Sequence, residues 1–113
     1  MTVREIADSI GLEVLCGSCD REVSGVYAGD LLSWVMSRLT EDKIWITIMS
    51  NVNVVAVASL ADAACVILAE SVVLDDDALA AAETKDVTVL TSHLDTYTLC
   101  REIALLIEKE DLT

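Results

Sequence analysis

Apolar residues at the start of the chain recur at the spacing of one helix face. These residues are Val3, Ile6, Ala7 and Ile10. The stretch 2–5 reads Thr-Val-Arg-Glu and matches the capping box, in which the Thr hydroxyl and the Glu carboxylate satisfy the first backbone amides of a helix. Gly11 then supplies a residue that readily adopts the left-handed conformation at a helix end. The pattern predicts a short helix that ends at Ile10.

Two extended segments and a second amphipathic helix follow. Residues 13–16 and 23–28 predict strands, and Gly25 inside the second one indicates a close approach of another backbone. Asp30 is expected to cap the next helix, which ends near Leu39. One arc of this helix is apolar and consists of Leu31, Leu32, Val35, Met36 and Leu39. Trp34 lies outside that arc, so we expect it to pack against another surface, such as a second subunit.

From residue 44 onward, extended and helical patterns alternate. Residues 44–49 and 65–68 are apolar on both faces, as in the central strands of a covered sheet, and residues 87–90 predict the last strand. Alternating strands and helices imply parallel pairing through right-handed crossovers. We therefore predict an α/β fold: a single three-layer domain over residues 1–113, with a mostly parallel sheet of about five strands flanked by helices.

The later helices carry recognisable start signals. Ser50 or Asn51 can cap a helix that runs to about residue 61. Asp75 is the expected N-cap of the next helix, bracketed by apolar residues at 74 and 79, and Asp95 or Thr96 opens the closing helix. Helix capping thus explains the run of three aspartates at 75–77, which lacks the alternation of a calcium-binding loop.

Composition and charge narrow the classes of partner. The 113 residues suffice for one domain, and the 54% hydrophobic content favours a well-packed core. The chain has 20 acidic residues against 7 Lys and Arg, giving a net charge of −13. Such a chain repels nucleic-acid phosphates and anionic lipid surfaces, so we expect neither as a partner. The apolar stretch 52–69 approaches the length of a membrane span, but Asn53 and Asp62 interrupt it, which favours a buried helix followed by a strand.

Four cysteines raise the question of thiol chemistry. The start of the chain does not have the pattern of a secretory signal, so we expect a cytoplasmic protein with reduced thiols. Cys16 and Cys19 have the spacing of a redox pair, but a turn and a strand follow them, whereas reactive pairs usually precede a helix. A zinc site needs four ligands, and the other candidates are Cys65, Cys100 and His93. We favour ordinary turn cysteines, with a thiol-based redox or metal sensor using Cys16 and Cys19 as the alternative.

Catalytic signatures are absent from the sequence. There is no nucleophile elbow of the form G-x-S-x-G and no phosphate-binding P-loop. His93 follows the last predicted strand, where α/β folds often place ligand contacts, but no nucleophile or base can be paired with it. We therefore expect no catalytic residue, no metal and no cofactor.

The segments 20–25 and 29–36, which read Asp-Arg-Glu-Val-Ser-Gly and Gly-Asp-Leu-Leu-Ser-Trp-Val-Met, resemble a DRTGG domain. The likeness continues through residues 44–48, 53–60 and 91–106. The resemblance implies a compact α/β fold that occurs alone or attached to enzymes, including phosphate acetyltransferases and CBS-containing inorganic pyrophosphatases. It also implies similarity to the N-terminal, non-catalytic domain of HPr kinase/phosphorylase. The family is usually regarded as regulatory or ligand-sensing, and members similar to this chain are suspected to self-associate.

Together these patterns predict a non-catalytic cytoplasmic regulatory module. We expect a homodimer with Trp34 at its interface, which binds a small anionic metabolite or nucleotide, or a partner protein. Arg21 is the expected anion contact, because a guanidinium suits phosphate and carboxylate groups. The amides that follow Gly29 could bind an anion, or Asp30 could cap them itself. The predicted ligand-binding residues are Asp20, Arg21, Gly25, Gly29 and Asp30.

Overall fold

The structure, a computed structural model, describes residues 1–112, in which a five-stranded sheet lies between two layers of helices. The elements in chain order are α1 (Val3–Ile10), β1 (Glu13–Cys16), β2 (Gly25–Ala28), α2 (Leu32–Arg38), β3 (Lys43–Thr47), α3 (Val52–Ala61), β4 (Cys65–Leu68), α4 (Asp76–Lys85), β5 (Val89–Thr91) and α5 (Thr96–Asp111). Within residues 1–112, no helix is both long enough and apolar enough to cross a membrane.

The strand order across the sheet is β1-β5-β4-β3-β2. Strands β2 to β5 pair in parallel, and β1 joins the edge of the sheet antiparallel to β5. The predicted α/β fold with a mostly parallel sheet of five strands is therefore confirmed. Parallel pairing follows from the β-α-β alternation, because a helical crossover returns the chain to the same end of the sheet.

The helices divide between the two faces of the sheet according to their place in the chain. The crossovers from β2 to β5 all step in the same direction, so right-handed connections put α2, α3 and α4 on one face. Helices α1 and α5 cover the other face. The side chains of β4 alternate accordingly: Cys65 and Ile67 pack toward α1 and α5, whereas Val66 and Leu68 pack toward the opposite helices.

Most predicted helix ends are confirmed at the level of individual hydrogen bonds. Thr2 and Glu5 form the capping box of α1, and Gly11 ends that helix with φ of 70°. Asn51 caps α3 through its side chain, and Asp95 caps α5 by accepting from the amide of Thr98 at 2.8 Å. These signals are local in sequence, which is why the pattern predicts them well.

The predicted N-cap role of Asp30 is wrong. Leu31 occupies the N-cap position of α2, and no side chain caps this helix. The Asp30 carboxylate instead accepts hydrogen bonds from β3 and the residue after it. Asp75 does precede α4 as expected, but its side chain accepts from the hydroxyl of Ser50 rather than from the amides of its own helix.

The close backbone approach expected at Gly25 occurs instead at Gly17. A Cβ at Gly25 would meet only the flexible side chain of Lys43, at an ordinary 3.6 Å. A Cβ at Gly17 would meet the backbone of Thr88 at 2.5 Å, and Gly17 also has φ of 92°. The turn after β1 therefore requires glycine for both space and conformation.

Candidate functional site

The five predicted ligand-binding residues lie at opposite ends of the parallel strands. Asp20, Arg21 and Gly25 come before or at the start of β2, and Gly29 and Asp30 follow its end. A strand of four residues spans roughly 13 Å, so the two groups do not form one loop. We call the edge where the parallel strands begin the amino edge, and the edge where they end the carboxyl edge.

Arg21 binds the end of a helix at the amino edge. Its Nη1 donates to the backbone carbonyl and to the carboxylate of Asp62, both at 2.8 Å, and to the carbonyl of Ala63 at 3.2 Å. The carboxylate of Asp42 lies 3.5 Å from the same nitrogen. The hydrogen bond to Asp62 raises the pKa of Arg21 above its ordinary value. Because Asp62 is the C-cap of α3, Arg21 donates to carbonyls at the end of this helix, and the Asp62 carbonyl also accepts from the amide of Asp42.

A small pocket beside Arg21 opens at the amino edge. Its volume is about 370 Å³, and it is lined by Ser18, Asp20, Arg21, Ala63, Ala64, Asp86 and Thr88. The Asp20 carboxylate lies 3.6 Å from Arg4 and accepts from the hydroxyl of Ser18 at 3.1 Å. One guanidinium therefore faces two carboxylates in this amino-edge pocket, which gives it no excess of positive charge.

Gly29 and Asp30 join the ends of β2 and β3 at the carboxyl edge. Asp30 Oδ1 accepts from the hydroxyl of Thr47 at 2.6 Å and from the amide of Ile48 at 3.0 Å. The Gly29 carbonyl accepts from the indole nitrogen of Trp45 at 2.9 Å. Through these contacts Gly29 and Asp30 hold the ends of β2 and β3 together.

A second cavity, larger than the amino-edge pocket, lies elsewhere on the carboxyl edge, between β1 and α4. Its volume is about 530 Å³, within the range of small-molecule sites in proteins. We call it the carboxyl-edge cavity, and its lining residues are Gly11, Glu13, Leu15, Ser71, Val72, Val73, Leu74, Asp76, Leu79, Thr91, Ser92 and His93. Among these residues the sequence indicates only His93 as a candidate ligand contact, because the other members come from three separate segments.

The loop between β4 and α4 forms one wall of this cavity and is conformationally strained. Glu70 and Ser71 both have φ of 58°, although neither is glycine. The Glu70 amide donates to the carbonyl of Leu94 at 2.8 Å, and the Ser71 amide donates to the carbonyl of Ser92 at 2.9 Å. Two consecutive left-handed residues cost free energy, and strain of this kind clusters at ligand-binding loops. The backbone bonds to the β5–α5 connection maintain this unfavourable shape.

The four thiols are divided between the two faces of the sheet. Cys16 packs toward α2, α3 and α4, and Cys19 packs with α1 and α5, so the two thiols lie on opposite faces of the sheet. Burial raises the pKa of each thiol, which disfavours the reactive thiolate. In the part of the chain that the structure describes, no three His, Cys, Asp or Glu residues are grouped as metal ligands. The placement of Cys16 and Cys19 on opposite faces weighs against a redox pair.

Trp34 is exposed on α2. Its side chain is 56% exposed, and the guanidinium carbon of Arg38 lies 4.3 Å from the ring centroid. Leu31, three residues earlier, is 58% exposed on the same side of the helix. We call Leu31 and Trp34 together the α2 patch.

Comparison with known proteins identifies the family. The model of the DRTGG domain family matches residues 5–106, and no curated protein gives a significant match. A similar solved structure contains the CBS and DRTGG domains of the regulatory region of Clostridium perfringens pyrophosphatase, complexed with the activator diadenosine tetraphosphate. The TM-score is 0.71 at 15% identity, and the match covers 90% of this chain and 45% of that one, so this chain spans less than half of its neighbour's length. Because the family model matches nearly the whole chain, the protein belongs to the DRTGG domain family.

Proposed function

We propose that this protein is a non-catalytic regulatory module that senses a small molecule in the carboxyl-edge cavity and works as a homodimer. The observation that carries the proposal is the cavity itself. It combines an apolar lining, supplied by Leu15, Val72, Leu74 and Leu79, with polar groups at its rim. Sites of this size and composition are typical of ligand binding in α/β proteins.

The absence of an organised reaction centre supports binding rather than catalysis. His93 is exposed, and within residues 1–112 no hydrogen bond or ion pair connects it to a base or a nucleophile. Burial raises the pKa of each of the four thiols. A catalytic site needs a nucleophile or an acid–base pair in mutual contact, and this cavity offers neither.

The structural neighbour supports a regulatory role at the level of the family. The pyrophosphatase region that shares this fold is regulatory and is complexed with an activating nucleotide. By analogy, the present chain would act by changing its stability or shape when a ligand binds, and would pass that change to a partner protein.

Anion binding at Arg21 is the second candidate. Arg21 lines the amino-edge pocket with the hydroxyls of Ser18 and Thr88. Within the described residues its hydrogen bonds and ion pairs all use Nη1, so Nη2 and Nε would be the donors to an anionic metabolite or nucleotide. The carboxylates of Asp20 and Asp86 in the same lining oppose such a ligand, which places this candidate behind the first.

The α2 patch supports self-association. A tryptophan that is more than half exposed leaves a large apolar surface in water, and such surfaces are common at protein interfaces. The neighbouring β2 is an edge strand with one unpaired side, which a second copy could approach.

A thermal-shift screen of cellular metabolites on three proteins tests the main proposal. The proteins are the wild type, Val73→Trp, which adds bulk at the rim of the cavity, and Leu60→Trp, a control on the outside of α3. Val73 and Leu60 are similarly exposed, at 82% and 78%, so neither substitution disturbs the core. A ligand at about 100 times its Kd stabilises the fold by about 2.7 kcal/mol, which raises Tm by roughly 10–20 °C in a domain of this size. We expect this shift in the wild type and Leu60→Trp and its loss in Val73→Trp; an equal shift in all three proteins would contradict the cavity as the site.

A further inference from the structure

We infer that the carboxyl-edge cavity takes a small organic ammonium: a ligand with an apolar body and a protonated amine. The inference rests on the proposed function, because it names the class of ligand for the same cavity. It also departs from the small anionic ligand that Arg21 leads us to expect in the sequence.

The charges at the rim favour a cation. Glu13 at the start of β1 and Asp76 at the start of α4 line the cavity, and both residues are exposed. None of the seven Lys and Arg residues of the chain belongs to the lining. Lys85, the nearest basic residue along α4, lies at the other end of a helix of ten residues, roughly 13 Å away. An anion in this cavity would therefore meet two carboxylates and no Lys or Arg side chain.

The helix dipole of α4 does not reverse this balance. The N-terminus of a helix carries about half a positive charge, which attracts anions. Here the first turn contains Asp76 and Asp77, and Asp75 precedes it. The full negative charge of Asp76, which lines the cavity, by itself exceeds the partial charge of the dipole, so the start of α4 offers a ligand no net positive charge.

The apolar residues on the floor of the cavity determine the second feature of the ligand, which is its apolar body. Leu15 from β1, Leu74 from the strained loop and Leu79 from α4 face the same space. Val73 is 82% exposed beside them, and a bound apolar body would cover part of its side chain. An amine with a ring or a branched hydrocarbon matches both this floor and the carboxylates at the rim. A metal ion or a simple polyamine would leave the apolar floor in contact with water.

Three probes that share one ring system test the charge of the preferred ligand. Tryptamine, tryptophol and indole-3-acetate carry a positive, a zero and a negative charge on an indole body. Each is titrated into the ¹⁵N-labelled protein, and the amide shifts of residues 71–74 and 91–93 report binding in the cavity. We expect tryptamine to bind at least about tenfold more tightly than indole-3-acetate, with tryptophol between them.

Charge-neutral variants show whether the rim carboxylates cause the preference. Glu13→Gln and Asp76→Asn are each expected to weaken tryptamine by roughly three- to fivefold and to leave tryptophol nearly unchanged. Asp77→Asn, in the same helical turn but outside the lining, is the matched control and should weaken tryptamine less than twofold.

The possible outcomes distinguish an error in the class of ligand from an error in the proposed sensing role of the cavity. If indole-3-acetate binds in the cavity as tightly as tryptamine, the ammonium class is wrong and the cavity remains a small-molecule site. If Asp77→Asn weakens tryptamine as much as Asp76→Asn does, the preference is a general effect of net charge and the inference also fails. If none of the three probes shifts the cavity amides at millimolar concentration, the inference is overturned, and the thermal-shift screen decides separately whether the cavity binds another small molecule.

Discussion

The carboxylate of Asp30 accepts a hydrogen bond from the hydroxyl of Thr47 at 2.6 Å and so joins the ends of β2 and β3. Thr47 is almost completely buried, and its oxygen in turn accepts from the amide of Met49. A residue that the sequence assigns to a helix cap therefore belongs to the packing of two neighbouring strands. Asp30 of this DRTGG domain therefore has a structural role that requires no ligand.

Replacement of Asp30 by alanine should destabilise the fold. The change removes the acceptor for the Thr47 hydroxyl and for the amide of Ile48, and hydrogen bonds to charged groups contribute about 1.5–3 kcal/mol each at most. We expect a loss of roughly 1.5–3 kcal/mol in the free energy of unfolding, measured by urea titration. Asp20→Ala is the control: its carboxylate is exposed, so its cost should stay within about 0.5 kcal/mol. Equal effects of the two changes would refute the strand-joining role.

Replacement of Gly17 by alanine should be far more damaging than the same change at Gly25. The new methyl group would collide with the backbone of Thr88, and the φ of 92° is unfavourable for any residue with a Cβ. We expect a loss of at least about 2 kcal/mol for Gly17→Ala and less than about 1 kcal/mol for Gly25→Ala, from thermal or urea unfolding. A stable Gly17→Ala protein would show that the turn can move away from Thr88.

Replacement of Arg21 by alanine distinguishes a structural role from a ligand contact. Loss of the Nη1 bonds leaves the carbonyls of Asp62 and Ala63 without this donor, and we expect a cost of about 1–2 kcal/mol. Arg101→Ala, which removes an exposed pair with the neighbouring Glu102, should cost less than about 0.5 kcal/mol. Calorimetry with inorganic phosphate measures the second role: unchanged stability together with lost phosphate binding would make Arg21 an anion contact.

Stability should fall at high pH because the N-terminal amine loses its charge. Hydrogen bonds to Glu110 and Glu22, at 2.7 and 2.8 Å, raise the pKa of the Met1 amine from 8.0 to about 10. The folded state therefore holds this proton more tightly than the unfolded chain does. The resulting stability is complete below pH 8 and disappears as the pH rises through 10. Urea titrations of the free chain and its N-acetylated form should give different stabilities at pH 7 and equal stabilities near pH 11. A constant difference across this range would contradict the stabilising role of the charged Met1 amine.

Replacement of Trp34 by alanine should weaken self-association. The indole is more than half exposed in the single chain, so its removal costs little folding energy but removes apolar contact area from an interface. Light scattering coupled to size exclusion should give a dimer for the wild type and a monomer for Trp34→Ala. Tyr97→Ala, an equally drastic change at a 76% exposed position on α5, should remain dimeric. A monomeric wild type would overturn the predicted homodimer.

The elements that the sequence predicts well are those governed by neighbours along the chain. The bounds of α1, β1 and β4 agree with the apolar pattern, because capping residues and alternation act within a few positions. Strand β2 begins later than predicted, since the amide of Val23 donates to Met1 and that of Ser24 to Asp42 instead of joining the regular ladder. Those partners lie far away in sequence, and no local pattern reveals them.

The residues of the candidate sites also depend on contacts between positions that are far apart in the sequence. The Arg21 contacts join positions about 40 apart, and the Gly17–Thr88 contact joins positions about 70 apart. The carboxyl-edge cavity needs the turn after α1, the loop after β4 and the end of β5 to meet in space. Sequence patterns indicate each of these segments as a loop or strand end, but only the folded topology brings them together.

Binding and turnover measured in one sample show whether the carboxyl-edge cavity senses a ligand or transforms it. A compound that raises Tm in the screen is incubated with the wild type and with Val73→Trp, bound ligand is quantified by equilibrium dialysis, and the whole mixture is then examined by mass spectrometry. We expect one bound ligand per chain for the wild type, none for Val73→Trp, and recovery of the compound chemically unchanged. Formation of a product by the wild type, lost in Val73→Trp, would rule out a non-catalytic sensing role for the cavity.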